Sequence, residues 1–201
     1  YKSFVFSGGE ISVKLQPANL EYSPDKPVHY HATITSANDL FELALVVDAV
    51  DRWFIENYSS RPVKKCLWMP YMPYARQDRV CAMGESLSLK VAADFINSLR
   101  FDEVRVSDPH SDVTLALLNN SSAQDLVSIF LDRFPLFDFN RAVLVSPDAG
   151  ASKKVGKLAR KLNLRMIQAE KIRNPQTGEI TGTVVHSNGA GNSPILVVDD
   201  I

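Results

Sequence analysis

The sequence predicts an α/β fold built as two lobes, each a mostly parallel sheet flanked by helices. Three observations carry this reading. Short apolar runs rich in Val, Ile and Leu alternate with longer segments whose apolar residues recur at helical spacing. Polar clusters follow directly after several of the strand-like runs, as they do at the carboxyl edge of an open parallel sheet. The polar tract NNSSAQ (119–124) separates two strand–helix series of similar grammar. With 201 residues, 45% hydrophobic and 22% charged, the chain has apolar material for one large or two small cores.

Taken in order, residues 1–15 predict two short strands around a Gly8-Gly9 turn, with FVF before it and the alternation Ile11, Val13, Leu15 after it. VHYHATI (28–34) is the next strand. Ser36 or Asn38 can cap the following helix, whose apolar positions include Leu40, Leu43, Val46, Val47 and Val50. A strand over 65–69 is expected to end at Pro70 and Pro73, and a loop through residue 84 leads into a helix over 86–99. A strand over 103–107, a helix over 123–133, a strand over 142–146, a helix over 152–162 and a strand over 164–168 continue the alternation, as right-handed βαβ units do. From 170 to 193, charged, Gly and Thr residues surround short β-like pieces, which read as a mobile flap ahead of the apolar strand ILVVDDI. The lobes are drawn at 1–120 and 121–201. The second is expected to be incomplete, because such a strand normally continues through a loop into a helix.

The formal net charge of −1 supplies no global positive field for nucleic acid or an anionic membrane, so the expected partners are small molecules held by local clusters. The two cysteines, Cys66 and Cys81, suit neither a disulfide framework nor a zinc site, which fits a reducing, cytoplasmic setting. No apolar run approaches the roughly 18 to 20 residues that cross a bilayer, and YKSFVFSGGE does not read as a signal peptide.

Five clusters carry chemistry. YARQDR (74–79) follows a strand; Arg76 and Arg79 offer planar donor forks for phosphate, while Gln77 and Asp78 can fix a purine, a ribose or a partner side chain. A solvated turn with surface ion pairs is the plain alternative. SDPHSD (107–112) presents Asp108, His110 and Asp112 at another strand end, where they can hold a divalent ion or contact nucleotide phosphates. SPDAGASKK (146–154) is a strand–loop–helix junction whose amides can face an anion and whose Asp148 can ligate magnesium, or it is an ordinary capped turn. Lys171 and Arg173, two apart on a strand, can aim both cations at a transferring phosphoryl group; an exposed charged hairpin is the alternative. Asp199 and Asp200 end an apolar strand, where they can accept hydrogen bonds from ribose hydroxyls or cap a helix start.

In this order the pieces resemble the ribose-phosphate pyrophosphokinase (PRPP synthetase) family across nearly the whole chain. The likeness rests on FSGGEISVKL, ANDLFELALVVDAV, YMPYARQDR, SLKVAADFINSL, SDPHSD, VLVSPDAGASKKVGKLARKLN, K-x-R and VVDD. It implies two phosphoribosyltransferase-type lobes, the first binding ATP and the second ribose phosphate. It implies transfer of pyrophosphate from ATP to the anomeric hydroxyl of ribose 5-phosphate, without a covalent enzyme intermediate. ATP would be bound by Arg76, Gln77, Asp78 and His110, and Mg2+ by His110 and Asp148. Lys171 and Arg173 would be catalytic, and Asp199 and Asp200 would face the acceptor ribose. Phe6 and Glu10 would reach the adenine of a neighbouring subunit, so a homo-oligomer is implied.

The chain departs from the family pattern at Gly8, where an Asp is usual, at Pro109, where a leucine is common, and over VCAMGESLSLK, where a basic stretch is usual. The region around Gly8 and residues 80–87 resembles phage-type relatives that use ADP-ribose as acceptor in NAD rebuilding, which is the alternative substrate. A non-catalytic regulatory subunit and a phosphoribosyltransferase that consumes PRPP are the alternatives from other classes.

Overall fold

In the computed structural model, which describes residues 1–16, 23–124, 129, 131, 141–173, 177, 179–186 and 191–199, a β-hairpin comes first. Its strands are β1 (Lys2–Val5) and β2 (Ile11–Lys14), paired antiparallel. The turn between them closes through Phe6 N–H to the Glu10 carbonyl and Gly9 N–H to the Phe6 carbonyl, both at 2.9 Å. Gly9 has φ 89°, a conformation that glycine adopts without steric cost.

The chain divides into two units, Tyr1–Gln124 and Asp125–Ile201. The first contains a four-stranded parallel sheet in the order β3 (Val28–His31), β4 (Lys65–Tyr71), β5 (Glu103–Asp108), β6 (Ser121–Ala123). Helix α1 (Ala37–Tyr58) crosses from β3 to β4, α2 (Ser88–Ser98) from β4 to β5, and the short α3 (Asp112–Leu117) from β5 to β6. Of the two capping candidates, Ser36 is the N-cap of α1: it forms a capping box with Asp39. Leu40, Leu43, Val47, Val50 and Phe54 recur at helical spacing and are buried with Leu67, Met69, Val104 and Val106 from the sheet and Leu89 and Ile96 from α2. On the other sheet face, His31, Trp68 and Arg105 lie in register and are exposed.

Three readings of this unit are corrected. The fourth strand lies within NNSSAQ, which has no apolar alternation; β6 is defined by its backbone pairing to Val104, Arg105 and Val106. The helix at 112–117 was not anticipated. Strand β4 continues through Pro70 to Tyr71. Trp68 points its carbonyl at the β3 side, where Ala32 N–H donates to it at 3.0 Å, so Pro70 faces the same side, beyond the last β3 pairing at His31↔Trp68. The missing N–H therefore costs no ladder bond.

The second unit holds a mixed sheet in the order β10 (Ile195–Val197), β7 (Val143–Ser146), β8 (Arg165–Arg173), β9 (Ile180–His186). Strands β10, β7 and β8 are parallel, and β9 returns antiparallel to β8. Helix α4 (Ser152–Leu162) links β7 to β8 and buries Val155, Leu158 and Ala159 with Leu144 and Val198. It ends at Asn163, which takes the left-handed conformation at φ 54°. Strand β8 runs five residues past the expected Gln168, so Lys171 and Arg173 stand on a hairpin strand, with a register shift against β9 between Ile172 and Arg173. The helix expected over 123–133 falls mostly outside the described residues; Ala123 ends β6.

Candidate active site

Parallel pairing of β4 with β5 decides what meets in the first unit. Tyr71 is in register with Asp108, and Met72 N–H donates to the Asp108 carbonyl at 3.4 Å, so the loops after the two strands leave the sheet side by side. YARQDR and SDPHSD, about thirty residues apart in sequence, thereby become neighbours at the carboxyl edge. Met72 and Ala75 are fully buried and anchor the first loop. Gln77 accepts from Leu89 N–H at 3.3 Å, tying that loop to the start of α2.

This frame leaves Arg76, Gln77, Arg79 and His110 exposed and Asp78 mostly covered. The Asp78 carboxylate accepts from Arg79 Nε at 3.2 Å. Its pKa is held below the ordinary carboxylate range, first by the Ser111 hydroxyl, then by Arg79 and His110. Ser111 Oγ is buried and makes no hydrogen bond of full geometry, so it acts on Asp78 by proximity. Asp78 thus braces the two loops against each other. His110 sits at φ 62° and donates its backbone N–H to Asp108 Oδ1 at 3.0 Å. Tyr74, also at φ 62°, is the second non-glycine residue of this edge in the left-handed region, and such strain concentrates where a loop must hold one shape. Asp112 opens α3 and is exposed. Phe6 and Glu10 flank the turn of the β1–β2 hairpin, both exposed, with the Phe4 and Phe6 rings in edge contact at 5.0 Å. A separate cavity of about 330 Å³ lies along β3 and α1; no residue of either polar loop lines it.

In the second unit, winding reverses at β7: β8 lies on one side of it and β10 on the other. Such a switch point opens a crevice beyond the carboxyl ends of the two strands, where open α/β sheets hold ligands. Asp148 follows β7, and Asp199 follows β10 and is exposed. Asp148 Oδ1 accepts the Ala151 N–H at 3.0 Å and Oδ2 accepts Lys171 Nζ at 2.7 Å. Lys171, then the Ala151 N–H, hold the Asp148 carboxyl below its ordinary range. The pair is accessible: the side chains are 31% and 32% exposed. The Arg173 backbone lies two residues further along β8, opposite Ile180. Asp200 lies outside the described residues.

No protein-family profile matches the chain. Among curated proteins, a ribose-phosphate pyrophosphokinase of Pyrococcus furiosus is 32% identical over 178 residues, covering 88% of this chain and 60% of the relative. One from Aquifex aeolicus is 30% identical over 209 residues, covering 98% of this chain and 60% of the relative. The chain belongs to the ribose-phosphate pyrophosphokinase family. The fold agrees: a crystal structure of phosphoribosylpyrophosphate synthetase from Mycobacterium smegmatis superposes with a TM-score of 0.66 at 20% identity, over 98% of this chain and 61% of that one. The chain spans about 60% of the length of these pyrophosphokinases.

Sequence reading missed the groups that support the pyrophosphokinase-family motifs. Ser146 Oγ, fully buried, donates to the Asp148 carbonyl at 2.7 Å and shapes the loop that presents Asp148. Thr114 Oγ1, also fully buried, donates to the Pro109 carbonyl at 2.6 Å and fixes the turn carrying His110. The available signal was a Ser or Thr within a few residues of a loop acid, the pattern of side-chain-closed turns. Among the described residues, no group of three or more His, Cys, Asp and Glu side chains converges to cage a metal, and no helix is long and apolar enough to cross a membrane.

Proposed function

We propose that the protein transfers a pyrophosphoryl group from ATP to the anomeric hydroxyl of ribose 5-phosphate, giving PRPP and AMP. The reading is carried by the Asp148–Lys171 pair at 2.7 Å beside a sheet switch point, which puts one carboxylate and one cation where a phosphorylated sugar would lie. The first unit, Tyr1–Gln124, is the ATP-binding lobe, and the second, Asp125–Ile201, the ribose-phosphate lobe. The reaction takes place in a cytoplasmic setting, in a homo-oligomer whose Phe6 and Glu10 reach a neighbour's nucleotide.

Arg76 and Gln77 hold the nucleotide from the exposed rim of the β4 loop, with Asp78 keeping that loop against His110. The acceptor's anomeric oxygen attacks the β-phosphorus in line, the bond from that phosphorus to the α–β bridging oxygen breaks, and AMP leaves while the hydroxyl proton is released. Lys171 and Arg173 neutralise charge on the transferring group, so positioning and electrostatics supply most of the acceleration. Asp199 and Asp200 accept hydrogen bonds from the ribose hydroxyls and hold the anomeric oxygen in line.

Magnesium suits the donor set, since Asp148 offers a hard carboxylate oxygen and Mg2+ is commonly held by one or two carboxylates together with substrate phosphates. When bound at Asp148, it would offset phosphate charge.

The test is incubation of the protein with ATP and Mg2+ plus either ribose 5-phosphate or ADP-ribose, following AMP release and the mass of the acceptor product. A pyrophosphorylated ribose 5-phosphate supports the reading. Product only from ADP-ribose would replace the acceptor, and neither product nor AMP would favour the regulatory subunit.

A further inference from the structure

We propose that Lys171 and a divalent cation exchange places on Asp148: the ammonium holds the carboxylate until a cation is loaded, and loading frees the lysine for the transferring phosphoryl group. The proposal rests on the reading of Asp148 as a cation ligand.

The two carboxylate oxygens are used differently. Oδ1 is fixed by the Ala151 N–H at 3.0 Å, which orients the group on the loop before α4. Oδ2 carries the ammonium at 2.7 Å. A magnesium-sized cation sits about 2.1 Å from its oxygen ligands, so at Oδ2 it would stand about 4 Å from an ammonium still in place. One negative charge would then be shared among three positive ones at a distance where like charges repel strongly. The divalent ion has the larger claim on the oxygen, and the lysine has somewhere to go. Its side chain is 31% exposed, and its four-carbon stem lets the ammonium leave without movement of the strand.

The strand itself favours such a release. The last parallel pairing of β8 with β7 is Gln168↔Ser146, and Lys171 lies three residues beyond it, paired through its backbone to Thr183 of β9. At this level the β8–β9 hairpin is tied to the β7 loop by the Lys171–Asp148 contact. Cation loading therefore both frees a catalytic cation and unties the hairpin that carries it, which orders the events: the lysine becomes available only after the metal is present. By reciprocity, removing the lysine must raise cation affinity.

The experiment titrates Mn2+ alone into the full chain, reading paramagnetic broadening of the Ala149 to Ser152 amides, with Lys171→Gln, Lys171→Arg and Asp148→Asn beside the parent. A second titration, of Mg2+ into the unsubstituted protein with isotope-labelled lysines, follows the Lys171 side-chain signal. Exchange predicts that Lys171→Gln binds Mn2+ on the order of tenfold more tightly, that Lys171→Arg stays near the parent, and that Mg2+ moves the Lys171 signal to that of a solvated lysine. Unchanged affinity in Lys171→Gln, with binding lost in Asp148→Asn, overturns the exchange and leaves the cation role of Asp148 standing. Unchanged affinity in Asp148→Asn overturns both. A Lys171 signal that stays put through the Mg2+ titration, in a protein whose Asp148 loop Mn2+ broadens, overturns the exchange without reliance on any variant.

Discussion

Asp51 of α1 and Lys65, the first residue of β4, form an ion pair at 3.2 Å with both side chains largely covered, 15% and 11% exposed. The same ammonium donates to the Leu99 carbonyl at 3.1 Å, so it fastens α1, β4 and the end of α2 together. Asp51 Oδ1 is buried with no hydrogen-bond partner among the described residues. Asp51→Ala would leave the ammonium covered with one carbonyl, and is expected to destabilise the protein by about 3 kcal/mol. The double substitution Asp51→Leu, Lys65→Met should recover most of that loss, since apolar groups of similar volume need no partner. Urea unfolding checks it; a double variant as weak as the single one refutes the account.

Asp148 gives a pH prediction. Its folded-state pKa is depressed below the ordinary 3.8, chiefly by Lys171. A depressed carboxyl stabilises the fold above its unfolded pKa, and that contribution disappears as pH falls through the folded value, so the window lies below 3.8. Near neutrality this carboxylate contribution is insensitive to pH. Lys171→Gln removes the largest cause, and the Asp148 carboxyl should then titrate at higher pH in carbon NMR. An unmoved titration would mean that the loop amides alone set the value.

His110 separates stability from activity. Its φ of 62° suits glycine better than any residue with a β-carbon, and the local bond to Asp108 uses only its backbone N–H. His110→Gly relieves that backbone strain and His110→Ala does not, so His110→Gly is expected to unfold at higher denaturant than His110→Ala, by about 1 kcal/mol, and both should lose the proposed diphosphokinase activity. Unfolding curves and AMP release on the same preparations decide it.

Ser36→Ala removes the hydroxyl that accepts Asp39 N–H at 3.3 Å, and should cost about 1 kcal/mol of stability. Asp39→Ala should cost more, because its Oδ2 accepts from Thr35 N–H, Thr35 Oγ1 and Ser36 N–H. Thermal unfolding ranks the two, and the reverse order would assign the cap to the serine alone.

Elements whose residues alternate or recur by their own side chains were legible. Helix α4 occupies 152–162 as its periodicity implies, and β1, β2, β3 and β7 fall where their apolar residues stand. The parts that escaped are those whose state depends on a partner. Ser121, Ser122 and Ala123 have no apolar pattern and become a strand because β5 offers them a ladder. Pro70 stays inside a strand because β3 has already ended beside it. Arg165–Arg173 extends past its parallel neighbour because β9 pairs with its far half.

The candidate site divides the same way. The sequence by itself determined which groups are present: the arginines and glutamine of 74–79, His110 in its acidic loop, Asp148 before a helix, the K-x-R pair and the terminal acids, in an order that names the family. Chemistry written as residue types at short spacing survives in one dimension. Only the tertiary structure decided that Asp78 turns inward toward Ser111 while Arg76 and Gln77 stay outside, and that Lys171 lies against Asp148. Those relations depend on the register between strands and the reversal of winding at β7. Register follows from which backbone groups across the whole sheet find partners, and no stretch of residues read alone contains that information.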